Sequence, residues 1–398
     1  MCIRDVFYAA ATVAKAAVAE VARARMRIAL ITPEFPGCGP SFGVGSYVQR
    51  LAQDFAAAGH AVCVAVIAQD GCWLGHADHV HQVSALRVPG LARAWWTKAW
   101  LARTLSDLAP DVVEVPNWGG LGAFLPNSWP LVVRLSTSVM HQRPRNPWRG
   151  HLQSFHLRLE RATVRKAHVV IANSATIAQS CAPLYGRMAQ RIIPHAFPSP
   201  AIVTAPQGTD VVFVGRLEHR KGIDVLLRAW PAVQRAFSAS TLHVVGHDYR
   251  HLAEHLPASV VPHVVFHGML SDAALHSLRQ RCVVQVVPSR FESFGLTVVE
   301  AFAAGHAVVA GDCAGLCETV GPAGLTYPIE DHHALSAALM RVLGDATLRA
   351  TLVALGTQRL RERFSLETWR NASLEAYQAA RLLARPPTPQ ALAESKHR

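Results

Sequence analysis

From Arg27 onward the chain alternates short apolar runs with stretches whose apolar residues recur at helical spacing. Ile28 to Thr32 reads as a first buried strand, and Ser46 to Ala58 as a helix entered through a glycine-rich loop. Ala61 to Ile67, Asp111 to Val115 and Leu131 to Leu135 are further strand-like runs; Val169 to Ala172 and Arg191 to Pro194 close the first half. Phe197 to Gly208, rich in proline and small residues, reads as a linker. The alternation restarts at Val211 to Val214 and continues through Leu242 to Val245, Val264 to Phe266, Val283 to Val287 and Ala307 to Ala310, with Ser365 to Leu383 as a closing helix. Strands alternating with helices imply parallel sheets covered by helices on both faces, which predicts an α/β fold with two doubly wound halves.

The most informative stretch runs from Pro288 to Ala301. An apolar strand ends in Pro288-Ser289, and a short polar loop holding Gly295 then opens a helix that carries Glu300 in its first turns. Unpaired backbone N–H groups at a helix start, together with the positive end of its dipole, suit a phosphate. Glu292 and Glu300 flank that point, and carboxylates accept hydrogen bonds from sugar hydroxyls. The second cluster follows the strand at Val211: Gly215-Arg216-Leu217, then Lys221-Gly222, on a loop at the carboxyl end of a strand, where open α/β sheets bind ligands. Two cations there can neutralise a departing diphosphate. The chain contains no Asp-x-Asp pair, so no dedicated metal site is expected.

These residues resemble the family 4 retaining glycosyltransferases (glycosyl transferases group 1). The matching features are Gly215-Arg216-Leu217 with Lys221-Gly222, the Glu-x7-Glu pattern of Glu292 and Glu300, Phe294-Gly295-Leu296, and Ala304 to Ala310. The resemblance is specific over residues 210 to 325 and looser before them. It implies the GT-B architecture, two Rossmann-like domains facing each other across a cleft. It further implies that Arg216 and Lys221 contact a donor diphosphate, with the amides near Gly295 and Leu296. Glu300 would bind the donor ribose and Glu292 lie beside the transferred sugar, so that Arg216, Lys221 and Glu292 form the catalytic group. Gly215, Phe294, Gly43 and Gly45 complete the expected donor-binding set. The acceptor side is assigned to Trp118, Arg134 and Ser136. Ser136 stands where the family often has histidine, and Pro194-His195-Ala196 where it commonly reads Pro-Asn-Gly.

The expected domains are a 1–25 extension, an acceptor-side Rossmann-like domain over 26–198, and a nucleotide-sugar-binding domain over 209–364. A closing helix over 365–384 is expected to pack back on the first domain, followed by a disordered tail over 385–398. A chain of 398 residues, 51% hydrophobic, can bury two such cores. Its formal net charge of +12 favours acidic partners. Nucleic acid is not expected, because no helix-turn-helix, zinc-finger spacing or aromatic RNA-binding motif accompanies the charge. Eight scattered cysteines suggest no disulfide framework and a reducing cytosol.

Four weaker features complete the reading. The loop from Gly37 to Ser46 carries glycines that would let backbone approach donor or acceptor, or form a plain turn. His76, Asp78, His79 and His81 crowd a short segment read as an exposed loop rather than a metal site. His141 to Lys166 is strongly basic with Glu160 as its single acid, and Leu152, Phe155, Leu159 and Ala162 recur as an apolar stripe. That stripe is expected to pack inward, with the arginines available to an anionic membrane. Trp118 ends a strand, where it could stack on a sugar or fill core.

The function expected is metal-independent, retaining hexosyl or related transfer from a nucleotide-diphosphate sugar to a hydroxyl acceptor. The nucleotide-sugar is a co-substrate, and no cofactor is expected. The acceptor would be a glycan or lipid-linked sugar in cell-surface polysaccharide or glycolipid synthesis, made in the cytoplasm or peripherally at the inner membrane face. The alternatives are a non-catalytic glycosyltransferase-like scaffold and a nucleotide-sugar epimerase.

Overall fold

A computed structural model describes residues 25–38, 43–68, 71–76, 79–82, 91–127, 129–141, 150–200, 206, 208–248 and 263–384. The extension before Arg25, the tail from residue 385, half of the linker (201–205 and 207), and Arg143, Arg145, Trp148 and Arg149 lie outside them. The described chain forms two compact units, one of residues up to Ile193 together with Trp369 onward, the other Pro194–Thr368.

The first unit holds strands β1 (Arg27–Thr32), β2 (Ala61–Ala68), β3 (Gly71–His76), β4 (His79–Gln82), β5 (Val112–Pro116), β6 (Leu131–Leu135), β7 (Val169–Ala172) and β8 (Arg191–Ile192). Their order is β4-β3-β2-β1-β5-β6-β7-β8. From β2 to β8 every pairing is parallel, but β2–β3 and β3–β4 are antiparallel. The expected all-parallel sheet is therefore extended by an antiparallel hairpin. His76, His79 and His81 of the histidine-rich segment expected to be a loop stand on β3 and β4, with His76 paired opposite His79, while Asp78 lies outside the described residues. The hairpin escaped the reading because glycine at Gly71 and Gly75 interrupts the apolar alternation that marks a strand.

The second unit holds β9 (Asp210–Val214), β10 (Leu242–Val245), β11 (Val264–Gly268), β12 (Cys282–Val287), β13 (Ala307–Gly311) and β14 (Gly324–Tyr327), in the order β11-β10-β9-β12-β13-β14, all parallel. Strands buried on both faces read as continuous apolar runs, and β13 shows why. Ala307 and Val309 face a core shared with helices Ile223–Ala236 and His332–Gly344, while Val308 and Ala310 face one shared with Leu296–Ala303 and Ala346–Arg363.

Both sheets reverse their winding beside their first strand. The chain goes outward from β9 through β10 and β11, then crosses to β12 on the other side. In the first unit the same reversal separates β1 from β5. Ligands of open α/β sheets bind at the carboxyl ends of strands at such a switch point.

Candidate functional site

The loops leaving β9 and β12 carry the two sequence clusters, so the fold brings Gly215, Arg216, Lys221, Glu292, Phe294, Gly295, Leu296 and Glu300 to the second unit's switch point. After β9 the chain makes a short turn over His219–Lys221 and enters helix Ile223–Ala236 through Gly222, at φ +69°. A Cβ at Gly222 would lie 1.8 Å from the Pro288 carbonyl oxygen. Only glycine lets the two loops approach this closely. A backbone bond from Arg290 N–H to the Arg220 carbonyl, at 2.9 Å, joins them again.

Lys221 reaches across this contact. Its ammonium donates to Glu292, which also accepts from the Ser289 hydroxyl at 3.1 Å and lies 3.6 Å from the Arg220 guanidinium. Glu292 is buried, and burial alone would raise its pKa. The charges of Lys221 and Arg220, with the hydrogen bonds from Lys221 and Ser289, outweigh that and hold the carboxyl below its ordinary value. Glu292 is thus an ionised carboxylate in a low-dielectric setting. Arg220 donates to the Phe291 carbonyl and to Glu218. Glu218 also pairs with Arg216 at 3.1 Å. The sequence reading missed Arg220 because two of its partners, Phe291 and Glu292, lie on the other loop, Phe291 71 residues away.

Gly295 caps helix Leu296–Ala303 at φ +89°, and no side chain caps the first turn. A Cβ there would meet Leu316 at 2.6 Å. Phe294 is buried in the core beneath, and Gln285 of β12 donates to the Thr297 carbonyl at 2.7 Å, fixing the helix start on the sheet. On the same helix, Glu300 accepts from Arg279 Nη2 at 2.9 Å. Arg279 was not singled out by the sequence. It stands at the end of helix Asp272–Arg279, and its carbonyl is bonded to His306 Nε2 at 2.8 Å. Burial pushes the His306 imidazole down to about 4, so it stays neutral near pH 7. The described cysteines are free thiols, and among the described residues no cluster of three or more histidine, cysteine or carboxylate side chains could hold a metal ion.

The first unit carries the remaining candidates. Gly43 and Gly45 lie in the first turn of helix Gly43–Ala57, where Gly45 N–H donates to Glu34 at 2.9 Å. Residues 39–42 of that glycine loop are outside the described region. Trp118 is half-buried at the start of a short 3-10 segment that follows β5 rather than in the strand itself.

Arg134 does not match its expected acceptor-side role: it is only 2% exposed. Its guanidinium bonds Glu114 at 3.0 and 3.3 Å, the Ile193 carbonyl at 3.3 Å and the Ser373 hydroxyl at 3.2 Å. The hydroxyls of Tyr47 and Tyr377 also donate to Glu114. Arg134 belongs to a buried network that ties the last helix, Leu366–Ala384, to β5 and β6. A cation in an apolar strand signals such a buried partner as readily as it signals a ligand.

Ser136 N–H donates to buried Asn117 at 2.9 Å. Beneath the same loop Glu160 accepts from the hydroxyls of Ser138 and Tyr185 at 2.8 and 2.9 Å. This corrects the expected orientation of helix Gly150–Lys166. Glu160, Thr163 and Val164 face inward, while Phe155 and Ala162 of the expected inner stripe are exposed. The loop after β6 requires an acceptor for its N–H and hydroxyl groups, and Glu160 supplies it, which rotates the helix.

Comparisons with known proteins bear on the family and the fold. Residues 208–345 match the family described as glycosyl transferases group 1, and residues 43–197 that described as glycosyltransferase family 4. The chain is 29% identical over 361 residues to a phosphatidyl-myo-inositol mannosyltransferase of Mycolicibacterium smegmatis, spanning 84% of this chain and 89% of that protein. It is 31% identical over 185 residues to a glycogen synthase of Mycobacterium tuberculosis, 45% of each chain. Among solved structures, sucrose-phosphate synthase of Thermosynechococcus elongatus superposes with a TM-score of 0.72 at 23% identity, over 89% of this chain and 98% of that one. Anabaena HepE, solved with UDP and glucose, superposes at 0.67 and 18% identity, over 89% and 100%. These likenesses identify the fold as GT-B. The chain belongs to the group 1, family 4 glycosyltransferases.

Proposed function

We propose that the protein moves a glycosyl group from a nucleotide-diphosphate sugar to a hydroxyl acceptor, with retention at the anomeric carbon. The observation that carries this is the ionised Glu292 held by Lys221 at the second unit's switch point, with Arg216 on the same loop and Glu300 on the adjoining helix. Lys221 has three N–H donors, of which Glu292 takes one. In this reading Lys221, Arg216 and the first-turn amides of helix Leu296–Ala303 meet the diphosphate. Glu300 accepts from ribose hydroxyls, and Glu292 from a hydroxyl of the transferred sugar. As the C1–O bond breaks, its electron pair passes to the phosphate oxygen, where the two cations stabilise it without a metal. The acceptor hydroxyl attacks C1 from the same face and gives its proton to that oxygen.

The relatives' activities support a hexosyl donor and a lipid-linked or glycan acceptor, as in the mannosyltransferase and the glycogen synthase. Peripheral contact with an anionic membrane on the cytoplasmic side is part of the proposal. It is supported by Phe155, 44% exposed beside exposed Arg158 and Arg165, and by Met140, exposed on the adjoining turn. No described helix is long and apolar enough to cross a membrane.

The test is release of free nucleotide from purified protein given nucleotide-sugar donors and hydroxyl acceptors, with the product's anomeric coupling read by proton NMR. Release that requires the acceptor, with the donor's anomeric configuration kept, is the expected result. Product with the opposite configuration refutes retention. Conversion of the donor without acceptor points to an epimerase, and a nucleotide-binding protein with no turnover to a scaffold.

A further inference from the structure

Arg290 has a role that neither its neighbours in the motif nor the donor-site reading assigns. Its side chain is 12% exposed, and its five N–H groups are all engaged. Nη1 and Nη2 form a fork with both oxygens of Asp224, at 2.7 and 2.8 Å. Nε and Nη2 form a second fork with Glu330, the latter bond at 2.7 Å. The remaining Nη1 hydrogen goes to the His219 carbonyl. One guanidinium therefore binds the turn after β9, the first turn of the following helix and the loop after β14.

A second observation concerns the Glu330 backbone, which lies at φ +71° although the residue is not glycine. Such left-handed strain persists where surrounding contacts over-determine it, and it clusters at ligand clamps. Glu330 is 54% exposed, so no packed core encloses it; its carboxylate meets Arg290 and, at 3.9 Å, Arg228, and a backbone bond from Asp331 N–H to the Pro328 carbonyl closes the turn around it. Meanwhile the Arg290 backbone holds the Arg220 carbonyl, one residue before Lys221. Arg290 thus holds the first two carbonyls of the His219–Lys221 turn, those of His219 and Arg220.

We propose that Arg290 is a positioning residue: its three-segment clasp with Asp224, Glu330 and the His219 carbonyl sets the His219–Lys221 turn so that Lys221 meets the donor diphosphate. The clasp rests on the donor-site reading above. Lysine cannot replace Arg290, because a point charge does not form two forks at once.

The test measures nucleotide binding by calorimetry (UDP, GDP and ADP), acceptor-dependent turnover and thermal unfolding for the intact chain and three variants. Arg290→Lys keeps the charge. Glu330→Gly removes one fork and relieves the backbone strain. Glu330→Gln keeps a carbonyl acceptor. The expected result is nucleotide binding weakened about tenfold and kcat lowered up to ~100-fold in Arg290→Lys, the scale set by a misplacement near 1 Å. Glu330→Gly loses affinity while its unfolding temperature is unchanged or raised, and Glu330→Gln recovers part of the loss. A purely structural role predicts losses that follow the unfolding temperature, and that outcome overturns the clasp. Variants that bind and turn over like the unaltered chain overturn it too, while leaving the donor site standing. An unaltered chain that binds none of the three nucleotides overturns both.

Discussion

Replacing Lys221 by methionine removes a charge and keeps most of the side chain's volume. Glu292 would remain buried with Ser289 at 3.1 Å and Arg220 at 3.6 Å as its remaining partners. Removing one member of a buried ion pair costs about 3–5 kcal/mol when nothing else compensates. Because Arg220 and Ser289 stay, the loss falls at or somewhat below that range, about 2–3 kcal/mol, or about 4–12 °C in unfolding temperature for a domain of 150–250 residues. The pH dependence carries a sign. In the intact protein Glu292 lies below the ordinary carboxylate value, so its contribution is present above about pH 4.3 and is lost as the pH falls below it. In Lys221→Met burial dominates and the carboxyl moves up, so mild acid becomes less harmful than in the intact protein. Chemical denaturation of Lys221→Met, Glu292→Gln and the double variant across pH 4 to 8 measures this. The double variant should be more stable than Lys221→Met alone, because the orphaned charge is gone. Additive losses with no change in pH profile would refute a desolvated, ionised pair.

Four further outcomes are expected. Lys221→Met should lower acceptor-dependent kcat by ~10²–10³, the loss typical of one preorganised group facing developing negative charge; steady-state kinetics on folded protein decides. Gly222→Ala combines left-handed strain of roughly 1–2 kcal/mol with a backbone overlap. It should lose more than about 2 kcal/mol in urea denaturation, along with nucleotide binding. Arg134→Met leaves Glu114 buried with only tyrosine hydroxyls beside it, costing about 3–5 kcal/mol, and hydrogen exchange should quicken in Trp369–Ala384. The His306 ring should stay neutral by NMR down to about pH 4. Its folded pKa lies below the unfolded value, so it adds stability above about pH 6.5 that is lost as the pH falls toward 4, about 3 kcal/mol in all.

What the sequence revealed follows from the range over which each signal acts. The strands were legible because doubly buried strands are almost entirely apolar, as β13 is along its whole length and β12 is except for Gln285. The donor clusters were legible because each is local, a strand end with glycine and charges at short spacing. The pairings that give those charges their chemistry are not local. Lys221 and Glu292 are 71 residues apart, Arg290 and Asp224 66, and Arg134 and Ser373 239. Nothing in the periodicity of one segment reports a partner in another. The orientation of helix Gly150–Lys166 was misjudged for the same reason: its apolar spacing favoured Phe155 inward, but Glu160 satisfies a distant loop and sets the rotation. The β3–β4 hairpin was lost among glycines and histidines, whose pattern is too short and broken to mark a strand.

The donor site is tested most directly by calorimetric titration of the purified protein with UDP, GDP and ADP, run beside Lys221→Ala and Glu300→Ala. One nucleotide should bind tightly to the intact chain and be lost or strongly weakened in both variants, through the diphosphate in one and the ribose in the other. A folded intact protein that binds none of the three, or variants that bind as well as it does, would contradict the assignment of Lys221, Glu292 and Glu300 to a nucleotide-sugar.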